Sequence, residues 1–182
     1  MRLIVVTTAL GLSSAALAQN DPAPTVFDRM AETITAAAPR TGDPVPNAWS
    51  AVSIRARAAR WHLAEPDDGD GWYHRVGWVS ENGRSIGIAA CGPEAGVTAL
   101  GFAFSGDDNT PLLEALDRAG HLTEEAGDGE PVWRFEAQGH VPARISFSVW
   151  CTPEGSAAAH SCRTSAVIAY AGDPREVSCS AP

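Results

Sequence analysis

An α+β fold, built on a predominantly antiparallel β-sheet of about six to seven strands with one or two helices on one face, is predicted by three observations. Glu81-Asn82-Gly83 separates two alternating apolar runs, 72–80 and 84–91, and Asn-Gly between such runs is the strongest short hairpin signal. A third alternating run, 97–105, carries Leu100, Phe102 and Phe104 on one side. Residues 110–119 then read as a short helix, with Thr110 as cap, Pro111 in the first turn and Gly120 at the end. Strands in sequence with an occasional helix, and no regular strand–helix alternation, give α+β.

The elements follow in order. Met1-Arg2, the apolar run 3–12 and the small residues Ala16 and Ala18 make a secretory signal peptide over 1–18, cleaved after Ala18. The run is too short to span a bilayer, and no later stretch is long and apolar enough, so integral membrane association is not expected. Residues 19–47 read as an N-terminal tail, a helix and a linker, and 48–182 as a single α+β domain. The helix covers 25–38: Thr25 caps it with Asp28 three residues on, Val26, Met30 and Ile34 share a face, and Pro39 stops it.

Residues 48–64 carry two patterns. Trp49, Val52, Ala56, Ala59 and Leu63 form a helical stripe with Asn47 as cap, while Val52, Ile54, Ala56 and Ala58 alternate as in a strand. The strand reading is adopted because sheet follows. Beyond the second helix, 132–138, 143–151 and 164–170 are predicted strands, with turns at Gly127-Asp128-Gly129 and Gly139.

Composition narrows the function classes. The formal net charge is −9, and all 13 basic residues are Arg. Such a chain repels phosphate backbones, so nucleic acid is not an expected partner, whereas a basic protein or a cation is. Cys91, Cys151, Cys162 and Cys179 are even in number and lie beyond the signal, which in an exported protein predicts two disulfides. Of the three pairings, Cys151–Cys162 with Cys91–Cys179 is preferred. The residues between Cys151 and Cys162 look like a loop joining two strands, and Cys179 would then pin the C-terminal segment to the sheet.

Several motifs bear on chemistry. Gly83-Arg84-Ser85-Ile86-Gly87 spells the G-x-S-x-G nucleophile elbow, which needs a strand-to-helix turn over a parallel sheet. Here it sits on a predicted hairpin, so Ser85 is read as a turn residue and no catalytic residue is assigned. Residues 65–71 resemble a calcium loop, but aligning Gly71 with the invariant glycine leaves Pro66 and Gly77 at ligand positions. If that acidic turn is centred near Asp68, His62 and His74 face each other across a ladder. With Asp68 and Asp70 they would make a zinc or copper site. Arg55, Arg57 and Arg60 form the one local basic cluster, expected to pair with nearby acids.

Two functional expectations result. The first is a non-enzymatic binding or envelope-associated domain in the periplasm or the medium. One variant of it inhibits a basic cell-wall hydrolase through the Cys151–Cys162 loop, which carries Glu154 and His160. The second is a metal-binding or hydrolytic protein using His62, His74 and the 67–70 turn.

Overall fold

The computed structural model describes residues 24–43, 46–64, 67–69, 72–81, 84–126, 129–152 and 161–182. Helix α1 (Val26–Ala37) opens with a capping box in which the Thr25 hydroxyl accepts from the Asp28 amide while Asp28 accepts from the Thr25 amide. Its other end is closed from a distance: Asn47 Nδ2 donates to the Ala37 carbonyl at 2.7 Å. Asn47 therefore caps the helix before it, and α2 (Trp49–Ala58) starts at Ala48 with no side-chain cap.

That second helix corrects the strand expected over 48–64. A strand would have put Val52, Ile54 and Ala56 on one buried face, whereas Val52 and Ala56 are buried and Ile54 is 60% exposed. The decisive signal is at the helix end. Arg60 adopts φ +67°, its amide bonds to Arg57 O, and the Trp61 amide bonds to Ala56 O. This is a Schellman turn, with Trp61 packing back into the core it shares with Ala56.

The remaining elements form the sheet. β1 (His62–Leu63) and β2 (Asp67–Gly69) both pair with β3 (Trp72–Glu81), which pairs in turn with β4 (Arg84–Pro93), and β4 with β5 (Ala99–Ser105). Helix α3 (Thr110–Ala119) leads to β6 (His121–Glu125), β7 (Val132–Glu136), β8 (Ala143–Cys151) and β9 (Cys162–Ala169). The spatial order is β1-β3-β4-β5-β9-β8-β7-β6, every pair antiparallel. The main path thus has eight strands, with β2 beside it, rather than six to seven, and three helices rather than one or two. The strand that patterning missed, β6, has the sequence His-Leu-Thr-Glu-Glu, too polar to announce itself, and none of its residues is fully buried. Thr110 is the first residue of α3, and Asp108 Oδ1 accepts its amide, so the cap falls before Thr110.

All three helices cover one face. Met30 and Ile34 from α1, Val52 and Ala56 from α2, and Leu112 and Leu116 from α3 meet Ile86, Ile88, Leu100, Phe102, Ile145 and Ile168 in one core. Two of its buried polar groups are paired across the layers: Trp61 Nε1 donates to Thr33 Oγ1 and the Tyr170 hydroxyl to Ile34 O. Burial pushes the Tyr170 hydroxyl's pKa far up, so it remains a neutral donor.

The opposite face is covered by chain rather than by a helix. Ala89, Cys91 and Ala99 contact Cys179, with Val177 and Ala181 packed alongside. A Cβ on Gly101 would lie 2.2 Å from Cys179 O, and one on Gly87 2.3 Å from Pro182 O. Glycine lets the backbones touch, and the Cys91–Cys179 disulfide, with a Cα–Cα distance of 5.8 Å, clamps them. The second disulfide, Cys151–Cys162, joins two directly opposed residues of β8 and β9. Both pairings are those preferred from the sequence. Two disulfides indicate an oxidising, extracytoplasmic environment. No helix among the described residues is long and apolar enough to cross a membrane.

Candidate functional site

The expected metal pair does not come together. His62 lies opposite Trp78 and His74 opposite Asp67, so the two histidines are four positions apart along β3, about 13 Å at the rise of a strand. The strands reverse between Gly69 and Trp72 rather than at Asp68. In sequence that step is Asp70-Gly71, itself a strong hairpin dipeptide, and it was the better guide to register. His74 Nε2 lies 3.2 Å from Ser180 O, and the His62 ring sits 6.4 Å from the ring of Trp78. Among the described residues no three His, Cys, Asp or Glu side chains gather as a metal would need. Asp70 lies outside the described residues, as do Glu154 and His160 in 153–160. Ser85 sits within β4 opposite Ser80, with no strand-to-helix turn. Arg55, Arg57 and Arg60 make no ion pair among the described residues, contrary to the expected pairing with acids.

What the sheet does bring together is a trough on the tail-covered face. Side chains alternate along each strand, and register aligns Trp78, Gly87, Ala103, Ser165 and Ser148 in one row across β3, β4, β5, β9 and β8. Two residues along the strands on the same face lie Ser80 opposite Ser85, and Ser105 opposite Arg163, which is itself opposite Trp150. The hollow between the two tryptophans has a volume of about 880 Å³. Ser85, Ala103 and Ser105 form its floor, and Pro182, seated over Gly87, closes its back. Cys151, Thr152, Ser161 and Cys162 border the Trp150 end.

Both tryptophans stand where the sheet loses a neighbour. β1 ends its pairing at Trp78, and the β7–β8 pairing ends at Ser146, leaving Val149 and Trp150 beyond it. Five strands therefore project past their flanks as a ledge about 19 Å wide, counted as four inter-strand spacings. Trp78 is 56% exposed and Trp150 79%. A fold that leaves such a ring in water forgoes about 2 kcal/mol of burial for each, and exposed aromatic surface on this scale marks contact sites.

These residues were not singled out by sequence reading. The available signal was in β8, where Ile145, Phe147 and Val149 form one face and Trp150 joins Ser146 and Ser148 on the other. A lone Trp on an otherwise serine face has no structural role to fill. Comparisons with protein-family models, curated proteins and solved structures find no match.

Proposed function

We propose that this chain is an exported, non-enzymatic binding domain of the cell envelope, and that it meets its partner through the trough between Trp78 and Trp150. Signal cleavage after Ala18 delivers it to the periplasm or the medium, where its disulfides persist. The observation that carries the reading is the pair of exposed indoles on one face of the ledge. Helices pack on the other face of the sheet, and the disulfide-clamped tail covers its middle strands beside the trough. Large rigid aromatics beside an Arg are what binding hot spots are made of.

The test is co-sedimentation of the exported chain with a washed bacterial envelope fraction. The wild type is retained and the Trp78→Ala/Trp150→Ala variant is released, at unchanged thermal midpoint. Equal retention of both would contradict the assignment.

A second reading, inhibition of a basic cell-wall hydrolase, is favoured by one observation: the Cys151–Cys162 bridge stands at the rim of the trough. Glu154 and His160 fall between these cysteines in the sequence, and the net charge of −9 suits a basic partner. A lysozyme assay that is not slowed by micromolar protein removes this reading.

A further inference from the structure

The charge of the trough runs against the charge of the chain. No acidic side chain lines it among the described residues, although the sequence holds 22 Asp and Glu against 13 Arg. Arg163 is its one lining cation among the described residues. Its Nη2 donates to Ala181 O at 3.3 Å, and it forms no ion pair among the described residues. A second hollow of about 370 Å³ on the other side of Trp78 is lined by Arg29, Arg60 and His62, and among the described residues no acid lines it. Both hollows that Trp78 borders thus hold Arg side chains, Arg163 in one and Arg29 and Arg60 in the other, in a protein that is negative overall.

The floor narrows the ligand further. Protein–protein contacts enrich Trp and Arg but deplete Ser, whereas here Ser85 and Ser105 lie between the tryptophans and Ser161 lies at the rim. Hydroxyls beside indole faces suit a ligand that offers its own hydroxyls at its edges and C–H groups on its flat side. A row of pyranose rings does both. A polyphosphate offers no flat C–H face to lie against an indole, so the two tryptophans do not suit it.

Resting on the envelope-binding reading above, we propose that the trough binds a carboxylate-bearing saccharide chain. Sugar rings lie against Trp78 and Trp150, ring hydroxyls exchange hydrogen bonds with the serines, and Arg163 holds a carboxylate.

Isothermal titration of the exported chain with three probes tests this: oligogalacturonate, a cello-oligosaccharide of the same length, and oligoglutamate. Oligogalacturonate binds, cello-oligosaccharide binds about tenfold more weakly, and oligoglutamate does not bind. Arg163→Gln and Trp150→Ala each weaken oligogalacturonate by about tenfold, the loss expected of one charge-assisted contact or one stacking anchor. Equal binding of the neutral chain, or an unaffected Arg163→Gln variant, overturns the carboxylate assignment. Binding of oligoglutamate in preference to both sugars overturns the saccharide. If none of the three binds while envelope co-sedimentation still depends on the tryptophans, the ligand class is wrong and the binding face stands. If that dependence is also absent, both fail.

Discussion

The two faces of the central sheet are built from the same strands and put to opposite uses. Along β5, Leu100, Phe102 and Phe104 point to the helices, and Ala99, Gly101 and Ala103 to the tail. Along β4, Ile86 and Ile88 alternate with Gly87 and Ala89 in the same way. Large side chains draw a helical layer about 10 Å away, while small ones admit a bare strand of chain at contact distance. The helix face is therefore closed over its centre, where Ile86, Ile88, Leu100, Phe102, Ile145 and Ile168 are buried. The tail face is covered where Val177, Cys179 and Ala181 pack on it, and beside Pro182 lies the trough. One alternation thus sets both where the sheet is packed and where it leaves Trp78 and Trp150 in solvent.

Removing the clamp from the tail face has the largest expected effect. Cys91 and Cys179 are 88 residues apart, and opening a loop of that size costs about 4.5 kcal/mol in the chain-entropy model. Urea unfolding of Cys91→Ala/Cys179→Ala reads that loss. A change under about 1 kcal/mol would mean that the tail is held by packing alone.

Neighbouring residues on β5 then give the contrast directly. Phe102→Ala opens a cavity under the helices and costs about 4 kcal/mol. Gly101→Ala adds one methyl where Cys179 O already stands and costs about 2 kcal/mol by overpacking. One face fails by losing volume and the other by gaining it. If Gly101→Ala is neutral in urea unfolding, the tail does not press on the sheet.

A smaller effect belongs to the helical layer. Asp28 caps α1 and accepts from Arg118 of α3 at 2.6 Å, and that guanidinium, with the Thr25 contacts, holds its carboxyl down at about 2. A carboxyl held below its unfolded value stabilises the fold above that value, and the gain is lost as pH falls. The contribution is complete above about pH 5 and disappears toward pH 2. With Arg118 more than half exposed, solvent screening limits it to about 1 kcal/mol. Asp28→Asn should flatten the stability profile across that window, and an unchanged slope would mean that other carboxylates set it.

How much of this was legible depended on whether a signal was local. Thr25 and Asp28 three residues apart announce their capping box, and Asn82-Gly83 announces the β3–β4 hairpin because turn chemistry is a property of adjacent residues. The disulfide pairing was readable because Cys151 and Cys162 bracket a loop-like segment, which left one partner each for the others. Residues 49–58 were not, since Val52 and Ala56 satisfy a period of 3.6 and a period of 2 equally well. The fact that separates the two, the exposure of Ile54, is tertiary. The same holds for the site: six tryptophans are visible in the sequence, but only the sheet order shows that Trp78 and Trp150 flank one ledge.

The most direct measurement takes stability and binding from one protein, the Trp78→Ala/Trp150→Ala variant, by urea unfolding beside envelope co-sedimentation. Two exposed side chains on the open part of the tail face predict an unfolding free energy within about 0.5 kcal/mol of wild type and a loss of envelope binding. A loss of stability approaching that of Phe102→Ala, with binding intact, would contradict the account and make the tryptophans part of the scaffold.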